Sequence, residues 1–155
     1  MLPVIPYKAP KFSLPDESGN LRSLTEYLGK WTIVYFYPKD GTPGCTDEAL
    51  ALRDARDELS ALGAEIVGIS RDGADSHEKF MAEHKLPFHL LTDADTRVMR
   101  EYGVWGKKPF GREGTLRQTF IINPAGQVVK VFSCVTPRGH GTQVIDVIKE
   151  LQGRP

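Results

Sequence analysis

Residues 31–62 read WTIVYFYPKDGTPGCTDEALALRDARDELSAL, and the change of character along this stretch decides the fold. Residues 31–37 are almost unbroken apolar, aromatic and β-branched, which suits a strand covered on both faces and central in its sheet. A turn rich in proline and glycine follows. From residue 43 to 62, Ala49, Leu52, Ala55, Leu59 and Leu62 then recur at helical spacing. Working outward, AEIVGIS (64–70) and QTFIIN (118–123) share the buried-strand character, and NPAG (123–126) supplies turn chemistry before QVVKVFSCV (127–135), which makes a hairpin. Helical patterns lie at 74–85, 94–102 and 142–151. Parallel units connected by helices, closed by a hairpin and a last helix, predict an α/β fold with a mixed central β-sheet flanked by helices. Fold class alone names no chemistry.

With 155 residues the chain is expected to form one domain over 1–155, without repeats, low-complexity tracts or a linker, burying roughly two-thirds of its extended surface. Twenty basic and twenty acidic residues balance, so no global field recruits nucleic acid or an anionic membrane. The N-terminus MLPVIPYKAPKF has prolines but no long apolar run, and nowhere do eighteen apolar residues stand together. These features predict a soluble cytoplasmic protein. The two cysteines, Cys45 and Cys134, are far apart and lack the spacing of a zinc site or the density of a disulfide scaffold, which fits a reducing compartment.

Cys45 falls in the first turn of the helix predicted from residue 43. Thr42 and Pro43 fit an N-cap and a first helical position, because the threonine oxygen can accept an orphan amide and proline has none. Unpaired amides and the positive end of the helix dipole there favour a thiolate, the nucleophilic form. Asp47 and Glu48 oppose this. Both are anions in the same turn, and Glu48, three residues on, shares the face of Cys45. A thiolate here therefore calls for an arginine or lysine from elsewhere in the chain. The plain alternative is a buried, inert cysteine beside an ordinary capped helix.

Pro38, Thr42 and Cys45 stand in the Pro-x-x-x-Thr-x-x-Cys arrangement of peroxiredoxins, and YFYPKDGTPGCTDEA resembles the peroxiredoxin Q, or bacterioferritin comigratory protein, branch. The similarity extends over nearly the whole chain, through APKFSLPDESGNLRSLTEYLGKWTIVYFYPKD, VGISRDGADSHEKFMAEHKLPFHLLTDAD, YGVWG and LRQTFIINPAGQVV. The resemblance implies a thioredoxin-like fold and a thiol peroxidase that reduces hydroperoxides without a cofactor. By it, Cys45 is the peroxidatic residue, Thr42 holds peroxide and thiolate through its hydroxyl, Pro38 shields the site, and Arg117 is the catalytic arginine. Arg117 is then the required cation, with Glu48 orienting it and the amides of Gly44 and Cys45 adding donors for the departing oxygen.

Much of the family carries a resolving cysteine five residues after the peroxidatic one, where this chain has Leu50. Such a pair is separated by about 7.5 Å of helical rise, so forming that disulfide unwinds the helix; Leu50 removes the bond and with it that need. Alternation in VVKVFSCV places Cys134 on the face of Phe132, as a buried small hydrophobe more than a mobile resolver. The expectation is a one-cysteine mechanism in which glutathione, a glutaredoxin or a thioredoxin supplies the external thiol, in a monomer as is common in this branch. Alternatives are a two-cysteine peroxidase resolved by Cys134, and a non-catalytic thioredoxin-like binding module; a dithiol oxidoreductase would need the Cys-x-x-Cys that Cys45 lacks. His77, His84, His89 and His140 show no ligand spacing, so no metal is expected. GVWGKKPFGREGT (103–115), with Trp105 and Phe110, is a solvated connection or a basic rim that receives the reductant. Ser70, Asp72, Thr92 and Asp93 sit at predicted strand ends, where turn chemistry accounts for them.

Overall fold

A central sheet of six strands, in the order β1-β10-β9-β4-β5-β6, organises the computed structural model, which describes residues 3–108, 111–133 and 135–153. Its strands are β1 (Tyr7–Lys8), β4 (Trp31–Phe36), β5 (Ala64–Ser70), β6 (His89–Thr92), β9 (Gln118–Ile122) and β10 (Gln127–Phe132). Two small ribbons flank it: β2 (Ser13–Pro15) with β3 (Leu21–Ser23), and β7 (Trp105–Lys107) with β8 (Glu113–Thr115). The helices are α1 (Pro43–Ala61), α2 (Ala74–His84), α3 (Arg97–Glu101) and α4 (His140–Leu151). β4 runs parallel to β5 and antiparallel to β9, and β5 parallel to β6, so the sheet is mixed as expected.

β4 explains its own composition. Ile33 and Tyr35 point into a cluster with Ala49, Leu52 and Leu59 of α1 and Val144 and Ile148 of α4. Val34 and Phe36 point the other way, onto Val98 and Met99 of α3 together with Phe120 and Ile122 of β9. A strand with a core on each face cannot alternate with polar residues. Burying each of these four side chains is worth about 1.5–3 kcal/mol. Gly68 on β5 pairs with Tyr35, and a Cβ there would lie 2.8 Å from the Tyr35 ring and 2.7 Å from Leu90 Cδ2. Glycine is needed so that the tyrosine can lie across the neighbouring strand.

The same registers fix where chemistry can occur. Phe36 pairs with Ile69 on one side and Gln118 on the other. The loop after β4, the loop after β5 and the residue before β9, Arg117, therefore share the carboxyl edge of the parallel strands, where α/β proteins place their sites.

Several boundaries differ from expectation. α1 stops at Ala61, with Leu62 as its C-cap, and α2 stops at His84, with Lys85 left-handed at φ 53°. α3 begins at Arg97, because Asp93 receives the amides of Val98 and Met99 at 3.3 and 2.8 Å and closes residues 93–96 into a turn. α4 begins two residues early, at His140. β10 ends at Phe132 and slips register between Val128 and Lys130, so strict alternation does not hold along it. Cys134 lies outside the described residues. The two ribbons, whose strands are only three residues long, were not expected from the sequence. No helix among the described residues is long and apolar enough to cross a membrane.

Candidate active site

Helix α1 starts with Pro43 at its first position, and Thr46 N donates to Thr42 O at 2.8 Å to close the first turn. Cys45 stands in that turn, 1% exposed. From across the sheet edge comes Arg117. Its Nη2 donates to Cys45 Sγ at 3.3 Å while Nη1 donates to Glu48 Oε1 at 2.6 Å. One planar fork thus holds the sulfur and the carboxylate together, which a lysine could not do with the same geometry. Gly44 gives the guanidinium room: a Cβ there would sit 3.1 Å from Nη2. Arg117, expected from the family resemblance as the cation between Cys45 and Glu48, lies within hydrogen-bond distance of both.

The two partners respond unequally to the pair. Burial pushes the Glu48 carboxyl up to about 7, with Arg117 pulling it back. Burial disfavours the Arg117 charge too, but Glu48 and Cys45 beside it raise its pKa, leaving a fixed cation. The difference follows from exposure: Glu48 is wholly buried, whereas 21% of the Arg117 side chain reaches solvent. Glu48 Oε2 and the Tyr35 hydroxyl are both buried without hydrogen-bond partners among the described residues. Burial, and then the charge of Glu48, pushes Tyr35 well above its ordinary range.

Thr42 departs from the sequence expectation. Its hydroxyl neither caps α1 nor donates to sulfur; it donates to Lys39 O at 3.0 Å. The orphan amides of the first turn are therefore not satisfied by this side chain. Pro38 is half-buried in the same loop. Asp47, the second anion beside Cys45, is drawn away by Arg138 Nε at 3.3 Å, a partner that no local pattern indicated. Leu50 lies one turn beyond Cys45, partly buried.

The other polar residues sort by contact. His77 is buried with Nε2 against Leu91 O at 3.1 Å and Nδ1 against Asp40 Oδ2 at 2.7 Å. The fold brings Asp40, Asp72 and His77 together, and likewise Asp16, Glu17 and His89, groupings that spacing along the chain concealed. In these groups Nδ1 of His77 and of His89 and most of the carboxylate oxygens are engaged with one another, with serine and tyrosine hydroxyls, with backbone amides or with Arg22. His140 is buried with Nε2 2.8 Å from Thr119 Oγ1, and burial lowers its pKa. His84 packs edge-on to Phe80. Residues 103–115 are not a bare connection, since β7 and β8 pair within them and Trp105 is flanked by Arg71 and Arg100 at 5.2 and 5.5 Å from its ring. Phe110 lies outside the described residues.

A cysteine and an arginine are thus joined at a helix start, on the carboxyl edge of a mixed sheet. The AhpC/TSA family matches residues 5–131, and the chain belongs to it. A putative peroxiredoxin Bcp of Coxiella burnetii is 43% identical over 141 residues, covering 89% of this chain and 93% of the relative. Peroxiredoxin Bcp of Escherichia coli K12 is 42% identical over 145 residues, covering 92% and 93%. A structure of Xanthomonas campestris bacterioferritin comigratory protein, described for its alkyl peroxide reduction activity, superposes with a TM-score of 0.86 at 36% identity, covering 90% of this chain and 91% of that one. The protein is accordingly a thiol peroxidase with the thioredoxin-like fold of the peroxiredoxins.

Proposed function

We propose that Cys45 is the peroxidatic residue and that the enzyme reduces hydrogen peroxide and organic hydroperoxides by a one-cysteine cycle. The Arg117 fork carries this assignment, because it places a fixed positive charge 3.3 Å from the sulfur and ties down the neighbouring anion. The Cys45 thiolate attacks the terminal peroxide oxygen; the sulfur–oxygen bond forms as the oxygen–oxygen bond breaks. Two electrons pass from sulfur to the peroxide, and the proton first lost by the thiol returns to the departing oxygen, which leaves as water or alcohol. Arg117 and the amides of Gly44 and Cys45 stabilise the charge moving onto that oxygen, Thr42 orients the peroxide, and Pro38 keeps water away. Alkyl hydroperoxides are included because the related Xanthomonas protein is described for reducing them.

The sulfenic acid then meets an external thiol from glutathione, a glutaredoxin or a thioredoxin, losing water to form a mixed disulfide that a second thiol cleaves. Leu50 at the usual internal position supports this route. The chain acts as one domain and a monomer in the cytoplasm, with neither nucleic acid nor membrane as partner, in keeping with its balanced charge. Intact mass after stoichiometric peroxide tests the cycle. Dilute protein should gain one oxygen, lost on adding thiol and absent in Cys45→Ser, and Cys134→Ser should turn over fully. Loss of two hydrogens with a mapped Cys45–Cys134 link would overturn it.

A further inference from the structure

The hydroxyl of Thr42 is held by a peptide that is itself held from the far side. Lys39 O accepts the Thr42 hydroxyl at 3.0 Å, and the amide of the same peptide, Asp40 N–H, donates to Asp72 Oδ2 at 2.8 Å. Asp72 is anchored to the sheet. Its carboxylate receives Ser70 Oγ at 2.7 Å, its amide donates back to Ser70 Oγ at 3.1 Å, and its carbonyl receives Thr92 Oγ1 at 2.7 Å. Ser70 and Thr92 pair across the ends of β5 and β6. A carboxylate on the rigid edge of the sheet therefore orients and polarises one peptide, whose carbonyl takes the only proton Thr42 can donate. The side chain of Asp40 reinforces the same loop by binding Ser76 Oγ and His77 Nδ1 on α2 at 2.9 and 2.7 Å.

We infer that Asp72 is a positioning residue for peroxide reduction, which by holding the Lys39–Asp40 peptide fixes the Thr42 hydroxyl as an acceptor for the O–H of the hydroperoxide. This rests on the assignment of Cys45 and Thr42 above. A hydroxyl whose proton is committed to a carbonyl presents only lone pairs to the site. In an organic hydroperoxide it then selects the one oxygen that carries hydrogen, the terminal oxygen; in hydrogen peroxide either oxygen can donate, and in both cases the oxygen–oxygen axis is turned towards the sulfur. An alkylating agent without such an O–H gains nothing from this arrangement.

Asp72→Ala, Asp72→Asn, Thr42→Val and the double variant Asp72→Ala with Thr42→Val are compared for their rates with hydrogen peroxide and with iodoacetamide, both at Cys45. Asp72→Ala is expected to slow the peroxide reaction about tenfold, as loss of one oriented hydrogen bond would. Alkylation should stay within about twofold of wild type. Asp72→Asn, whose side-chain oxygen can still receive the Asp40 amide, should recover most of the peroxide rate. In the Thr42→Val background, Asp72→Ala should cost nothing further. Equal losses with both reagents, additive losses in the double variant, or an unchanged peroxide rate would each overturn the role of Asp72. A wild-type protein that forms no sulfenic acid at Cys45 would instead overturn the underlying peroxidase assignment.

Discussion

Replacing Glu48 by glutamine removes a buried titration without removing the volume or the oxygen that faces Arg117. The Glu48 carboxyl rises from its usual 4.5 to about 7 because burial outweighs the attraction of Arg117. Between those values the folded protein keeps a proton that the unfolded chain releases. Its contribution to stability is complete below pH 4.5 and is lost as pH climbs through about 7. At 1.36 kcal/mol per pH unit, that window amounts to about 3 kcal/mol. Other groups titrate nearby, His140 among them with the opposite sign, so the informative quantity is the difference between wild type and Glu48→Gln. Urea unfolding of the reduced proteins from pH 4.5 to 8 should show wild type losing about 3 kcal/mol relative to the variant across this range. Parallel stability curves for the two proteins would refute the view that burial of Glu48 dominates its pairing.

Three further substitutions address the same architecture. Arg117→Ala leaves Glu48 buried without its cation and should cost about 3 kcal/mol in stability at pH 8 while slowing the peroxide reaction; Arg117→Lys should restore stability better than rate, and an unaltered melting temperature in the alanine variant would count against the pair. Gly44→Ala brings a methyl group 3.1 Å from Arg117 Nη2 and should lower the peroxide rate several-fold with a loss of stability below about 1 kcal/mol, measured by competition kinetics and thermal melting; an unchanged rate would show that the guanidinium position is not critical. Gly141→Ala drives a Cβ into the Ala51 carbonyl where α4 crosses α1, and should lower the urea midpoint by an amount equivalent to about 1–3 kcal/mol; a midpoint within error of wild type would mean the crossing is looser than described.

The central strand, the helix after it and the placement of Cys45 at that helix start were legible in residues 31–62, because each depends on local periodicity and on the covalent limits of proline and glycine. The demand for a cation beside Cys45 was legible for the same reason: a thiolate and the carboxylates of Asp47 and Glu48 in one helical turn repel wherever the helix is placed. Its identity was not a local matter. Arg117 reaches Cys45, 72 residues away in the sequence, because β9 lies antiparallel against β4. That Arg138 rather than Arg117 takes Asp47 likewise depends on the α4 end of the chain returning to α1. The short strands carried too few residues for a period to show, and the slip within β10 has no local signal in its residues. Thr42 shows the division most plainly. Its position before Pro43 is written in the sequence, but the direction of its hydroxyl was decided by a peptide that Asp72 holds from another strand, since a rotor with one proton turns to whichever acceptor the tertiary structure brings within reach.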